Sequence, residues 1–291
     1  FHSLLDRHCD ELLPRIRAVR NHIHENPELS WEETETQAFL KRWMEEMGMK
    51  PQVTAGTGLY VDIGDSDHPV IYRCDIDALP IDTSEEDRPV NSKVPGVSHS
   101  CGHDVHASIG AGVAAVFHAM RKELPGRVRV VFQPAEEVVP SGGEAVLEAG
   151  VLDGMRAAIG IHVDPSFCVG SIGVLEGCLT ANSDKFVIEV QGKSGHAARP
   201  HLSNDALLAG AKIVQASTGL IRDHVNPLES AVVTVGLFQA GEADNVVAGQ
   251  AHLAGSIRTF SPEVRALVQD ELRRMAKLIS EVHNCTASLE I

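Results

Sequence analysis

The sequence predicts an α/β protein in two domains, and three observations carry that expectation. Helical and strand-like apolar patterns alternate through residues 1–180. Beyond Thr180 the patterns run in the order β-α-β-β-α-β, which forms a four-stranded antiparallel sheet with two helices on one face. At 291 residues and 43% hydrophobic content, the chain can fill two such cores. The expected domains are 1–180 and 181–291.

Each element has a local reason. From Leu4 to His24 the apolar residues Leu5, Leu12, Leu13, Ile16, Val19 and Ile23 recur at helical spacing, and Asn26-Pro27 stops them. His2, His8, His22 and His24 fall on this polar, amphipathic segment and are expected at the surface. Ser30 with Glu33 reads as a capping box opening a second helix, which carries Phe39, Leu40, Trp43 and Met47 and ends at Gly48. Leu59–Ile63 and Val70–Cys74 read as strands, the second running into the acidic turn Asp75-Ile76-Asp77. A polar loop follows.

His106 to Met120 is rich in Ala and Gly, as a helix buried on a sheet would be, and Val128 to Phe132 is a continuous apolar strand. A helix around Glu144 to Ala149 and a strand from Ala157 to Ile161 complete the first set. In such sheets sites gather beyond the carboxyl ends of the strands, where Asp75, Glu136 and His162 fall. In the second set, Phe186–Val190, Ala231–Phe238, Ala251–Ile257 and Thr286–Ile291 read as strands, with helices at Asp205–Ala216 and Pro262–Ile279.

Composition excludes some classes of function. The 25 basic residues stand against 40 acidic ones, a formal charge of -15 that repels a phosphate backbone, so no nucleic acid partner is expected. No apolar run reaches the roughly 18 to 20 residues of a membrane span, and the amino-terminal residues lack a signal-peptide pattern. The expectation is a cytoplasmic protein, although any signal upstream of Phe1 lies outside this sequence. Cys9, Cys74, Cys101, Cys168, Cys178 and Cys285 show no short repeated spacing and are expected to be reduced and mostly buried.

Cys101-Gly102-His103-Asp104-Val105-His106 places a thiol, two imidazoles and a carboxylate together, and Glu136-Glu137 and His162 follow later. Thiolate, neutral imidazole and carboxylate are the donors that bind zinc-like ions, and this mixed acidic set suits an open, catalytic site. Metal-assisted hydrolysis is the chemistry it points to. Pro134 ends the strand before Glu136 and Glu137, so both can face one cavity from a turn.

Taken with Tyr72-Arg73-Cys74-Asp75-Ile76-Asp77-Ala78-Leu79-Pro80-Ile81, Phe132-Gln133-Pro134-Ala135-Glu136-Glu137, Gly160-Ile161-His162 and Gly195-His196-Ala197-Ala198-Arg199-Pro200, the Cys101 to His106 motif resembles the metal-dependent amidohydrolases. These are the aminoacylase, hippurate hydrolase and indoleacetyl-amino-acid hydrolase group of metallopeptidases, and the resemblance covers essentially the whole chain. It implies a catalytic domain with a mixed sheet between helices, and a ferredoxin-like lid and dimerisation domain.

It also implies two divalent ions per subunit, zinc, manganese or cobalt, held by Cys101, His103, Glu137 and His162, with Glu136 as general base toward a metal-activated water. Asp75 and Asp77 match a segment that orients imidazole ligands, or simply form a strand-end turn. Asp104 and His106 belong to the motif and also stand where a helix begins. His196 matches a histidine that reaches the active site of a partner subunit, which implies a homodimer; an exposed turn histidine is the alternative. Asn245 and Arg258 match positions that bind a substrate carboxylate.

The implied reaction cleaves the amide of an N-acyl amino acid. A dipeptide exopeptidase and a non-catalytic binding protein are the alternatives. Two departures stand out. The family pattern returns to the first domain after the second and supplies a further histidine ligand, which no residue up to Ile291 is expected to replace. Cys74 stands where alanine is commoner and is expected to be a buried thiol.

Overall fold

Helix α1, His2–Glu25, opens the computed structural model, which describes residues 1–65, 67–83 and 89–291. The polar loop expected before Cys101 lies partly at 84–88, outside the described residues. The chain divides into two compact units, Phe1–Ser171 and Ile172–Ile291.

In the first unit, α2 (Thr34–Glu46), β1 (Gln52–Thr54), β2 (Gly58–Ile63) and β3 (Val70–Asp75) precede α3 (His103–Ala119). Then come β4 (Val128–Gln133), α4 (Gly142–Glu148) and β5 (Ala157–Gly160). The sheet order is β1-β2-β4-β3-β5. β1, β2 and β4 pair antiparallel, whereas β3 lies parallel to both β4 and β5.

Alternation along β3 decides what each face buries. Tyr72 and Cys74 join Val19, Ile23, Leu40, Trp43, Met44 and the alanines of α3 on one face, while Ile71 meets Val131, Val146 and Val151 on the other. The sheet is therefore mixed and sandwiched between helices. Gly110 lets α3 lie close to β3, since a Cβ there would come within 2.5 Å of Cys74 Sγ. Cys74 is buried, and its thiol pKa rises well above the ordinary value because burial disfavours the thiolate. β5 is the exposed edge, with Ile159 54% exposed.

Three sequence expectations fail here, the first two through long-range contacts. His24 is buried, 4% exposed, because its Nδ1 meets Asp104 Oδ2 at 2.8 Å, whereas His22, stacked on Phe39, is exposed as expected. The capping box does not form. Glu33 is itself the residue before α2, and Ser30 Oγ donates to Asp77 instead. Glu28 takes over the capping, its carboxylate accepting from the amides of Glu35 and Thr36. The cysteines are all free, but Cys9, Cys168 and Cys178 are exposed rather than buried.

The second unit holds β6 (Asn182–Gln191), β7 (Gly195–His196), α5 (Ala206–His224), β8 (Ala231–Ala240), β9 (Val246–Val247), β10 (Gln250–Thr259), α6 (Pro262–Val282) and β11 (Thr286–Glu290). The main sheet is antiparallel in the order β11-β6-β10-β8, and β7 pairs with β9 in a small separate ladder that the sequence reading did not anticipate. Phe186, Ile188 and Val190 alternate inward against Ile213, Val268 and Leu272 of the two helices. Asp205 and Ser261 cap those helices with their side chains.

Asp184 is nearly buried and accepts from Arg265 Nε at 2.9 Å and from Gln269. The Arg265 hydrogen bonds hold its carboxyl pKa below the ordinary 3.8. A depressed carboxyl pKa contributes stability above the unfolded value and loses it as pH falls through the folded one. Replacing Arg265 with Ala is therefore expected to lower the stability of this unit by about 1 kcal/mol at neutral pH, the figure being small because Arg265 is half-exposed. The same variant should flatten the acid limb of a pH series of thermal melts; an unchanged limb would contradict the assignment.

No helix among the described residues is long and apolar enough to cross a membrane.

Candidate metal centre

β3, β4 and β5 run parallel, so their carboxyl ends open on the same edge of the sheet. β3 ends in Asp75 and leads to Asp77; β4 leads through Pro134 to Glu136 and Glu137; β5 leads to His162. His103 is the first residue of α3, one turn earlier than the apolar pattern suggests. Gly102 makes this possible. Its φ is +84°, and a Cβ would come within 2.3 Å of Val163 Cγ2, so only glycine lets the Cys101 turn approach the His162 segment.

The geometry centres on His103 Nε2. His103 is 1% exposed, and its Nδ1 lies 2.9 Å from the Asp77 carbonyl oxygen and 3.0 Å from Asp77 Oδ1. A carbonyl can only accept, so Nδ1 carries the proton and Nε2 of the neutral ring holds a lone pair. That Nε2 is buried without a hydrogen-bond partner, as is Glu137 Oε1, 3.7 Å away. Glu136 Oε2 lies at 3.9 Å and Asp75 Oδ2 at 3.8 Å.

Cys101 Sγ stands 3.4 Å from His162 Nε2. Cys101, His103 and His162 offer donor atoms within 4.8 Å of one another, and so do His103, Glu136 and Glu137. Two orphaned donors facing carboxylates and a thiol fit a divalent cation.

Electrostatics says the same. Burial pushes the Cys101 thiol up to about 12, reinforced by the Glu137 and Glu136 carboxylates beside it. A thiolate among carboxylates needs a compensating cation. Burial lowers the His103 pKa, but the Asp77 hydrogen bond and the charges of Asp75 and Glu137 outweigh it, and the net direction is upward. Burial, then the Glu137 charge, raises the Glu136 carboxyl.

His106 faces inward and is engaged at both nitrogens. Its Nε2 accepts from the Val163 amide at 2.9 Å, so its Nδ1 donates to Asp75 Oδ1 at 2.7 Å. Asp75 Oδ2 accepts from Arg73 at 2.7 Å. Asp104 is buried against His24 and Arg20 rather than capping its helix.

Glu33 and Ser30 are the residues that sequence reasoning missed, and no local pattern distinguishes their true contacts from a helix cap.

In the second unit, His196 sits on β7 with Nδ1 accepting from the Ala198 amide at 3.1 Å, which leaves Nε2–H to donate outward. Asn245 is adjacent, its carbonyl accepting from Ala197. Arg258 lies near the other end of β10, opposite Ser183. At about 3.3 Å per residue, the ends of β10 are about 30 Å apart. The structure thus groups His196 with Asn245 and separates both from Arg258.

Residues 71–280 match the family model described as peptidase family M20/M25/M40. An N-acetylcysteine deacetylase of Bacillus subtilis (strain 168) is 41% identical over 282 residues, covering 95% of this chain and 73% of that protein. An N-acyl-L-amino acid amidohydrolase of Geobacillus stearothermophilus is 37% identical over 287 residues, covering 97% and 77%. The crystal structure of a Bacillus subtilis protein described as a dinuclear metal binding peptidase from the M20 family superposes with a TM-score of 0.83 at 37% identity, over 97% of this chain and 74% of that one. A family model spanning most of the sequence, with relatives this similar along nearly all of it, makes the chain a member of peptidase family M20/M25/M40 and a hydrolase of amide bonds.

Proposed function

We propose that the protein hydrolyses the amide bond of N-acyl amino acids with divalent metal, two ions per subunit, of zinc, manganese or cobalt type. The observation that carries this reading is the buried, unpartnered Nε2 of His103 facing Glu136, Glu137 and Cys101. Cys101, His103, Glu137 and His162 would hold the metal. An ion bound there supplies Lewis acidity, lowering the pKa of a water and polarising the amide carbonyl.

The protein's own groups do the rest. Asp77 fixes the His103 ring so that Nε2 points into the site, and Asp75 together with the Val163 amide holds His106 beside it. Glu136, with its raised pKa, takes a proton from the attacking water and returns it to the leaving nitrogen.

Residues 1–180 are the catalytic domain in this reading. Residues 181–291, a ferredoxin-like arrangement by strand order, are the lid and the dimerisation domain. His196 would donate from Nε2 to the developing oxyanion, and Asn245 and Arg258 would bind the substrate carboxylate. A separation of about 30 Å between the ends of β10 exceeds one acyl amino acid, so His196 and Asn245 do not meet the same substrate molecule as Arg258, which fits a homodimer in which His196 reaches the partner subunit's site. Free cysteines fit a reducing, cytoplasmic compartment.

A screen of acetyl, benzoyl and indoleacetyl amino acids and of dipeptides, with metal supplied and free amino acid measured, tests the proposal. Release from acylated amino acids is expected; release from dipeptides alone would make the protein an exopeptidase. No turnover with any of them would leave a binding protein.

A further inference from the structure

Two backbone amides flank Glu136, and each is held by a carboxylate. The Glu137 amide donates to Asp77 Oδ2 at 3.0 Å, and the Ala135 amide donates to Glu33 Oε1 at 2.7 Å. Glu33 lies far off in the chain, just ahead of α2, and is 0% exposed. Its carboxylate is engaged by hydrogen-bond donors, the Ala135 amide and the Thr57 hydroxyl. Burial raises its pKa, against the Thr57 and backbone-amide hydrogen bonds that favour the charged form.

What Glu33 holds is an unusual residue. Ala135 is buried and has φ +46°, in the left-handed region that costs an alanine roughly 1–2 kcal/mol. Its carbonyl accepts from the Gly142 amide at 2.9 Å, and Gly142 itself approaches so closely that a Cβ would overlap the Pro134 carbonyl. This reversed backbone carries the chain from β4 into the turn that presents Glu136 to His103, while Asp77 separately holds the amide of Glu137.

From these contacts we infer that Glu33 is a positioning residue for the base. By accepting from the Ala135 amide it fixes the left-handed turn that sets the direction of the Glu136 carboxylate. The inference rests on the reading of Glu136 as the general base. What matters at position 33 is an acceptor at full reach, not a charge.

Three variants of the metal-loaded full chain separate these ideas, assayed on whichever acyl amino acid the screen identifies. Glu33→Asp keeps the charge and loses the reach; kcat is expected to fall about 100-fold, the scale of a misplacement of about 1 Å, with KM and metal content unchanged. Glu33→Gln keeps the acceptor and is expected to stay within about threefold of the parent. Adding Ala135→Gly to Glu33→Asp should recover about tenfold, because glycine adopts positive φ without strain. Parental kcat in Glu33→Asp, an equal fall in Glu33→Gln, or loss of metal alongside kcat would each overturn the inference.

Hydrogen exchange needs no variant. The Ala135 amide should exchange as slowly as the amides of β4, and fast exchange would overturn the inference even if a variant failed to fold. Glu136→Gln is the control. If it stays active the base assignment itself fails, whereas an inactive Glu136→Gln beside a fully active Glu33→Asp defeats only the role of Glu33.

Discussion

Replacing Glu136 with Gln is expected to lower kcat by roughly 10²–10⁴-fold while metal content and the thermal melt stay near parental values. That range is the usual contribution of a positioned general base. The variant keeps nearly the same shape and hydrogen-bonding capacity, so the effect isolates proton transfer. Glu136 is part-exposed, with a side chain 40% accessible, and its contact with the buried His103 is a loose 3.9 Å, which is why stability should hold. Metal analysis beside steady-state kinetics checks both halves. Retained turnover would remove Glu136 from the mechanism, and lost metal would make it a ligand.

The second large effect is expected from His103→Ala. His103 alone belongs to each group of donors that the site brings together, so its removal should abolish metal binding and leave only background hydrolysis. Stability reports this independently of activity. A ligand at 100 times its Kd stabilises the folded chain by about 2.7 kcal/mol, a gain the parent should show on adding zinc or manganese and the variant should not.

The two states should also respond oppositely to pH. In the apoprotein the raised His103 pKa contributes stability that is fully present below the ordinary 6.5 and is lost as pH rises through the folded value. Metal must displace that proton, so binding strengthens over the same rise in pH. Metal titrations followed by thermal melts between pH 5 and about pH 9 would reveal the crossing; parallel slopes would exclude His103 as a ligand.

Much of the first unit was legible because its signals are local. Val128 to Phe132 could be read as a buried strand from composition, and Pro134 marked where it stopped, which put Glu136 and Glu137 in a turn. Helix boundaries were less accessible. α3 begins at His103 rather than His106 because its first turn is polar and faces the site, so apolar periodicity had nothing to register there. The β7–β9 ladder was invisible for a similar reason: two-residue strands carry no pattern.

Long-range polar pairing was misread outright. His24 looked like a surface residue on an amphipathic helix, yet it meets Asp104 across 80 positions. Glu33 matched a capping signature and instead holds Ala135 across 102 positions. Short-range rules rank the partners within a turn of the helix; they hold no information about which distant donor packing will bring closer.

The sequence by itself determined the donor chemistry, the order and type of the longer elements, and hence which strand ends carry Asp75, Glu136 and His162. Only the tertiary structure decided that His103 Nδ1 is taken by Asp77 and that Nε2 is left bare, that Glu33 serves the Glu136 turn, and that Arg258 lies away from Asn245. The physical reason is that residue types and periodicities are properties of neighbours along the chain. A buried lone pair, or a backbone held at positive φ, exists only when segments far apart in sequence exclude water from one another.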